Sequence, residues 1–138
     1  MSIDPKDNLD YQAAKLSQQI IDETIKENLI DSSSVENLVT KTLGVLQENG
    51  VYACVLYLQS RSDKDKKISN SVMKNLFEMT ELIKIKQSVD SPSTDKSDFV
   101  SMNIYKDLDT LFLTKQLWEQ ILLYARYGAK AVAKDGRS

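Results

Sequence analysis

Apolar residues recur at three- and four-residue steps along most of the chain, and this spacing restricts the fold more than any other feature. The first such segment predicts a helix over about residues 8–30 with one apolar face. Its inward-facing residues are predicted to be Leu9, Ala13, Leu16, Ile20, Ile21, Ile25 and Leu29.

A second helix is predicted from the serines at 32–34 to Gly50. Ser33 and Glu36 have the spacing of a capping box, and Gly50 favours a helix end. The apolar run 51–58 predicts a third, short helix covered on several sides, with a buried strand as the alternative reading. The second helix is predicted to bury Val35, Leu38, Val39, Leu43 and Leu46.

The remaining segments alternate between polar connections and amphipathic helices. Residues 59–71 are polar and basic, and the stretch 87–98 is rich in Ser, Thr and Asp with one Pro, which predicts a mobile loop. Helices are predicted over about 71–86, 104–112 and 114–134. Their inner faces carry Val72, Leu76, Phe77, Met79, Ile83, Leu117, Trp118, Ile121, Leu122, Ala125, Ala129 and Val132, with Met73 and Leu82 at an edge. We therefore expect one all-α domain, 1–138, a compact globular bundle of about six helices.

Composition argues against an enzyme, a cofactor and a metal site. The chain has no His, 1 Cys and 4 Gly, and it contains no phosphate-binding glycine loop. The pair Asp107-x-Asp109 lacks the glycine of a calcium loop, and Ser71-x-x-Lys74 lacks the companion motifs of Ser-Lys hydrolases. Cys54 lies in the most apolar run and is predicted to be a core thiol. With no secretory leader and no membrane-length apolar run, we expect a cytoplasmic protein without membrane contact.

Charge is distributed unevenly along the chain. Residues 1–50 carry 4 Lys against 9 acidic residues, and residues 51–138 carry 14 Lys and Arg against 11 acidic residues. Near the end, Arg126, Lys130 and Lys134 are spaced i, i+4, i+8 on the last predicted helix, with Tyr127 beside Lys130. Cations next to an aromatic ring are typical of single-stranded nucleic-acid binding, so these four residues are candidate RNA contacts. The alternative is that these cations only complement the helix dipole.

A second basic cluster lies in the connection 59–71. Lys64, Lys66 and Lys67 are further candidate RNA contacts, although Asp63 and Asp65 weaken their field and make a solvated turn the competing interpretation.

Two stretches resemble a known family. Residues 46–61, LQENGVYACVLYLQSR, and residues 113–130, from LTKQLW to YARYGAK, resemble the small α-helical subunit of type III-B CRISPR (Cmr) effector complexes. The resemblance implies a non-catalytic subunit that stacks with copies of itself into a filament, beside the groove where crRNA and target RNA pair. It also implies that RNA cleavage belongs to other subunits of the complex.

Two other functional classes remain open. A helical adaptor that binds only protein would show a large apolar surface patch. A DNA-binding regulator would need a helix-turn-helix pair, and the segment after Gly50 is too apolar to enter a groove.

Overall fold

Four long helices make up the described part of the chain. The computed structural model describes the backbone of residues 8–90 and 96–135 and the side chains of residues 8–84 and 108–134. The helices are α1 Leu9–Ile21, α2 Ser32–Gln59, α3 Lys66–Asp90 and α4 Lys96–Asp135. A π-helical turn, Asp22–Glu27, continues α1, and a 3-10 turn, Asp63–Asp65, precedes α3. No strand occurs in these ranges. The compact all-α bundle is therefore confirmed, and the strand alternative for residues 51–58 is wrong.

The expectation of about six helices is wrong, because two predicted boundaries do not separate helices. At Gly50 the backbone has φ 94° and ψ −177°, so α2 bends there but resumes helical geometry without a connecting loop. The predicted helices 104–112 and 114–134 are parts of α4. No Gly or Pro lies between residues 96 and 127, and nothing in the sequence therefore ends a helix near Thr114.

α4 packs mainly against α1 and α2, and α3 packs mainly against α1. α2 and α4 run antiparallel. The Nζ of Lys115, early in the contact, lies 3.5 Å from the carbonyl oxygen of Gln47, and the Nζ of Lys130, later on α4, lies 3.7 Å from a carboxylate oxygen of Glu36, which is earlier on α2. The largest fully buried side chains are Trp118, Ile20, Ile21, Leu46, Leu58, Ile68, Leu76, Met79, Ile83, Ile121, Leu122 and Val35. Most of these positions follow the periodicity of the sequence.

Gly128 sets how closely α4 approaches α1. A Cβ at this position would lie 3.1 Å from Cγ1 of Ile21, closer than ordinary van der Waals contact. The helices therefore cross at a residue without a side chain.

Three apolar predictions are wrong. Leu29 is 85% exposed, because the first helix ends before it. Phe77 is 45% exposed and lies edge-on to Trp118, with ring centroids 6.1 Å apart. The run 51–58 is not covered on several sides: Cys54 and Leu58 are buried, but Tyr52 is 79% exposed and Leu56 is 51% exposed. This half of α2 buries one face only.

Two local predictions have different outcomes. The capping box is wrong, because α2 begins at Ser32, the hydroxyl of Ser33 donates to the Asp31 carboxylate, and Glu36 pairs with Lys130. The mobile loop 87–98 stays a prediction: α3 continues to Asp90, α4 begins at Lys96, and residues 91–95 lie outside the described residues.

Candidate nucleic-acid interface

The α4 ridge, defined as Arg126, Lys130 and Lys134, lies on the last turns of a helix that continues to Asp135. Lys130 and Lys134 are exposed, and Arg126 is half-buried. Their i, i+4, i+8 spacing on one continuous helix places the three cations along one side of it. Tyr127, 58% exposed, is one helical turn before Lys130 and can offer its ring to a planar ligand.

Arg126 has an unpaired donor. Its Nε is buried and has no hydrogen-bond partner. A buried N–H without an acceptor keeps its desolvation cost, and an anionic oxygen that reached it would recover that cost. Because this atom is buried, a phosphate could contact Arg126 only at the exposed part of its side chain.

Lys130 is already engaged within the chain. Its Nζ lies 3.7 Å from a carboxylate oxygen of Glu36, and the two side chains are 45% and 28% exposed. The carboxylate offsets part of the lysine's positive field. A phosphate at Lys130 would therefore compete with Glu36.

The second predicted cluster lies on other elements than the ridge. Lys64 lies in the 3-10 turn, which packs on α3, while Lys66 and Lys67 begin α3 itself. All three lysines are exposed. The two basic groups therefore lie on different elements.

Arg61, next to that cluster, is held by α2. Its guanidinium carbon lies 3.9 Å from the ring centroid of Tyr57, and its Nε donates to the Tyr57 carbonyl oxygen at 3.1 Å. These contacts satisfy a carbonyl at the end of α2.

The Glu23 clasp, defined as Glu23, Ser71, Lys74 and Asn75, is a polar cluster that the sequence analysis missed. The Glu23 carboxylate accepts hydrogen bonds from Ser71 Oγ at 3.1 Å, Asn75 Nδ2 at 2.8 Å and Lys74 Nζ at 2.5 Å. It ties the π-helical turn to α3. No local sequence signal connects these positions, because they are 48 to 52 residues apart.

The pKa values of Glu23 and Lys74 in the clasp are shifted from their ordinary values. Partial burial acts to raise the pKa of Glu23, but the hydrogen bonds from Lys74, Asn75 and Ser71 outweigh it and leave the pKa below its ordinary value. The hydrogen bond to Glu23 raises the pKa of Lys74. A Ser-Lys nucleophile pair needs a neutral lysine, so the Ser71 and Lys74 arrangement works against that chemistry.

The other residues considered as candidate sites lie in regular helix or in the core. Asp107 and Asp109 lie within α4 and not in a loop. Cys54 is fully buried, and burial raises its pKa to about 12, as predicted for a core thiol. In the described residues, no group of three or more Cys or acidic side chains is placed to hold a metal ion.

Exposed apolar side chains lie outside the ridge. Tyr52 and Leu56 are on the second half of α2, and Leu108, Leu111 and Phe112 are on α4, with Phe112 68% exposed. Within the ranges described, no helix has both the length and the apolar content to cross a membrane.

Comparison with known proteins assigns no family. No protein-family model, no curated protein and no solved structure matches the chain.

Proposed function

We propose that the chain is a non-catalytic, cytoplasmic small subunit of a type III CRISPR RNA-guided effector complex. It stacks with copies of itself along the groove of crRNA and target RNA and contacts the RNA through phosphates. Its other partners are the remaining subunits of the complex. The proposed role involves neither a membrane nor a cofactor. The family rests on the resemblance of residues 46–61 and 113–130, and the RNA contact rests on the α4 ridge.

The observation that carries the RNA contact is the row of cations along one side of α4, in which Lys130 and Lys134 are exposed and Arg126 is half-buried. The exposed ring of Tyr127 extends this row. Lysine and arginine contacts to phosphate carry no base readout, as a complex with interchangeable guides requires. The turn lysines Lys64, Lys66 and Lys67 form a second, separate phosphate contact in this proposal.

The test is fluorescence anisotropy with a labelled single-stranded RNA over a salt series. Each phosphate contact contributes about 0.7 to the log–log salt slope for single strands, so an Arg126→Ala, Lys130→Ala, Lys134→Ala variant should have a slope shallower by about 2. A matched control removes three exposed lysines from α1, its π-helical turn and α3, with Lys15→Ala, Lys26→Ala and Lys84→Ala.

The control variant should keep a slope within about one contact of the wild type. A Lys64→Ala, Lys66→Ala, Lys67→Ala variant measures the second cluster separately. If the wild type shows no salt-dependent binding, or the control loses as much slope as the ridge variant, direct RNA contact through the ridge is refuted.

A second candidate function is a helical adaptor that binds only protein. The exposed apolar side chains Tyr52 and Leu56 on α2, and Leu108, Leu111 and Phe112 on α4, favour it. An adaptor would show no RNA binding at any salt concentration in the same assay.

A further inference from the structure

The corner between α1 and α2 has an unusual residue at its tip. Leu29 has φ 55° and is the one non-glycine residue with positive φ among the described residues. Its side chain is also 85% exposed. A leucine here therefore carries backbone strain and exposes apolar surface, and the fold gains no burial in return.

The helix could end in the same way without a leucine in the strained conformation at position 29. Asn28 Nδ2 donates to the Glu23 carbonyl oxygen at 2.5 Å, and the Ile30 amide donates to the Thr24 carbonyl oxygen at 3.0 Å. Gly or Asn is the usual residue at a left-handed position after a helix, and either would allow the same bonds. These bonds also hold the tip in place, so Leu29 is presented by a fixed corner.

Two carboxylates flank the exposed leucine. Glu27 and Asp31 are both exposed, and neither forms an ion pair within the described part of the chain. Lys26, the neighbouring cation, pairs with Asp22 at 3.2 Å. The tip therefore offers one apolar group between two negative charges.

We propose that Leu29 anchors a protein–protein contact by entering an apolar pocket on a protein partner, with Lys or Arg on the pocket rim facing Glu27 and Asp31. A rigid apolar anchor within complementary charge gives affinity from the pocket and orientation from the rim. RNA is disfavoured at this tip because its phosphates would meet two carboxylates. The proposal does not depend on the RNA contact of the α4 ridge.

The first test uses the isolated full chain. Leu29→Asn should unfold at the same temperature as the wild type or higher, because Asn tolerates the positive φ and the leucine side chain is 85% exposed. A clearly lower unfolding temperature would mean that the fold itself uses the leucine, and the proposal would be overturned.

The second test places the photo-crosslinking residue benzoyl-phenylalanine at position 29 in the full chain, within the cells that produce it. We expect cross-links to one protein, mapped by mass spectrometry to an apolar pocket bordered by Lys or Arg. Glu27→Lys should lower the yield at least about tenfold. The same probe at position 84, an exposed polar position on α3, serves as the control.

Three results would overturn the proposal: cross-links to a second copy of this chain, cross-links to RNA, or a yield at position 29 no higher than at position 84 and insensitive to Glu27→Lys.

Discussion

The Glu23 clasp should stabilise the fold mainly through its least exposed hydrogen bonds and not through its ion pair. The perturbation is Glu23→Ala, which removes the carboxylate shared by Ser71, Lys74 and Asn75. The Glu23 side chain is 24% exposed, whereas that of Lys74 is 58% exposed. Lys74 can therefore recover its hydration when the partner is lost, but Asn75, which is fully buried, cannot.

The size of this loss is set by the two less exposed hydrogen bonds of Glu23, those from Ser71 and Asn75. Each of the bonds from Ser71 and Asn75 contributes about 1 kcal/mol, so Glu23→Ala should lower the free energy of unfolding by about 2 kcal/mol. Glu23→Gln keeps an acceptor but loses the charge, and it should cost about half as much. In a chain of this length, about 2 kcal/mol corresponds to a fall of roughly 6–8 °C in Tm.

The assay is urea unfolding followed by circular dichroism, with Lys74→Met and Ser71→Ala as matched variants. Lys74→Met should be the mildest of the set, because it removes an exposed cation and leaves the other two hydrogen bonds intact. If Lys74→Met costs as much as Glu23→Ala, the reasoning is refuted and the ion pair carries the clasp.

The clasp also predicts a pH dependence. The pKa of Glu23 is depressed in the folded chain, so its contribution is present above the ordinary value of 4.5 and is lost as pH falls through the folded pKa. The difference in unfolding free energy between the wild type and Glu23→Gln should therefore be smaller at pH 3 than at pH 7. A difference that stays constant over this range would contradict the assigned hydrogen bonds.

The remaining predictions concern glycine positions and the ridge. Gly50→Ala should lower the free energy of unfolding by about 1–3 kcal/mol, because φ 94° with an extended ψ is a region that almost only glycine adopts. Gly44→Ala also has open space around the new Cβ, but it lies in regular helix. It should therefore raise the free energy of unfolding by up to about 1 kcal/mol. Equal effects of the two substitutions in thermal unfolding would rule out backbone strain as the cause. Glu36→Gln should remove the carboxylate that competes with phosphate at Lys130 and so strengthen RNA binding at each salt concentration. An unchanged affinity, with ridge-dependent binding intact, would show that Glu36 does not compete with phosphate.

Helical periodicity predicted the fold class and most of the core, because one buried face per helix is a local property of the sequence. Helix number was less predictable. Gly50 was identified from sequence as a break, but a single residue with positive φ turned the helix without a loop. The sequence predicts a helix start at Thr114, but the helix passes through this residue and buries it. A favourable capping residue permits a boundary but does not require one.

Polar contacts between distant segments could not be predicted from spacing. The spacing of Ser71 and Lys74 suggests a pair, but their common partner, Glu23, lies on another element. The spacing of Glu36 from Ser33 predicts a capping role, but its carboxylate pairs with Lys130 on α4. Lysines that looked equivalent in sequence therefore differ in the structure, since Lys130 is partly neutralised and Lys134 has no ion pair among the described residues.

The acidic corner and the α4 ridge belong to the same end of the bundle. Gly128 on α4 lies against Ile21 just before the corner, and Lys130 lies beside Glu36 just after it. Surfaces of opposite charge this close cannot both face RNA without the carboxylates reducing the attraction of the cations. Phosphate contact at the ridge therefore requires the corner to point away or to be covered by a basic partner. RNA binding by the isolated chain should then strengthen when the corner loses its charge, and the same change should weaken a protein contact at Leu29.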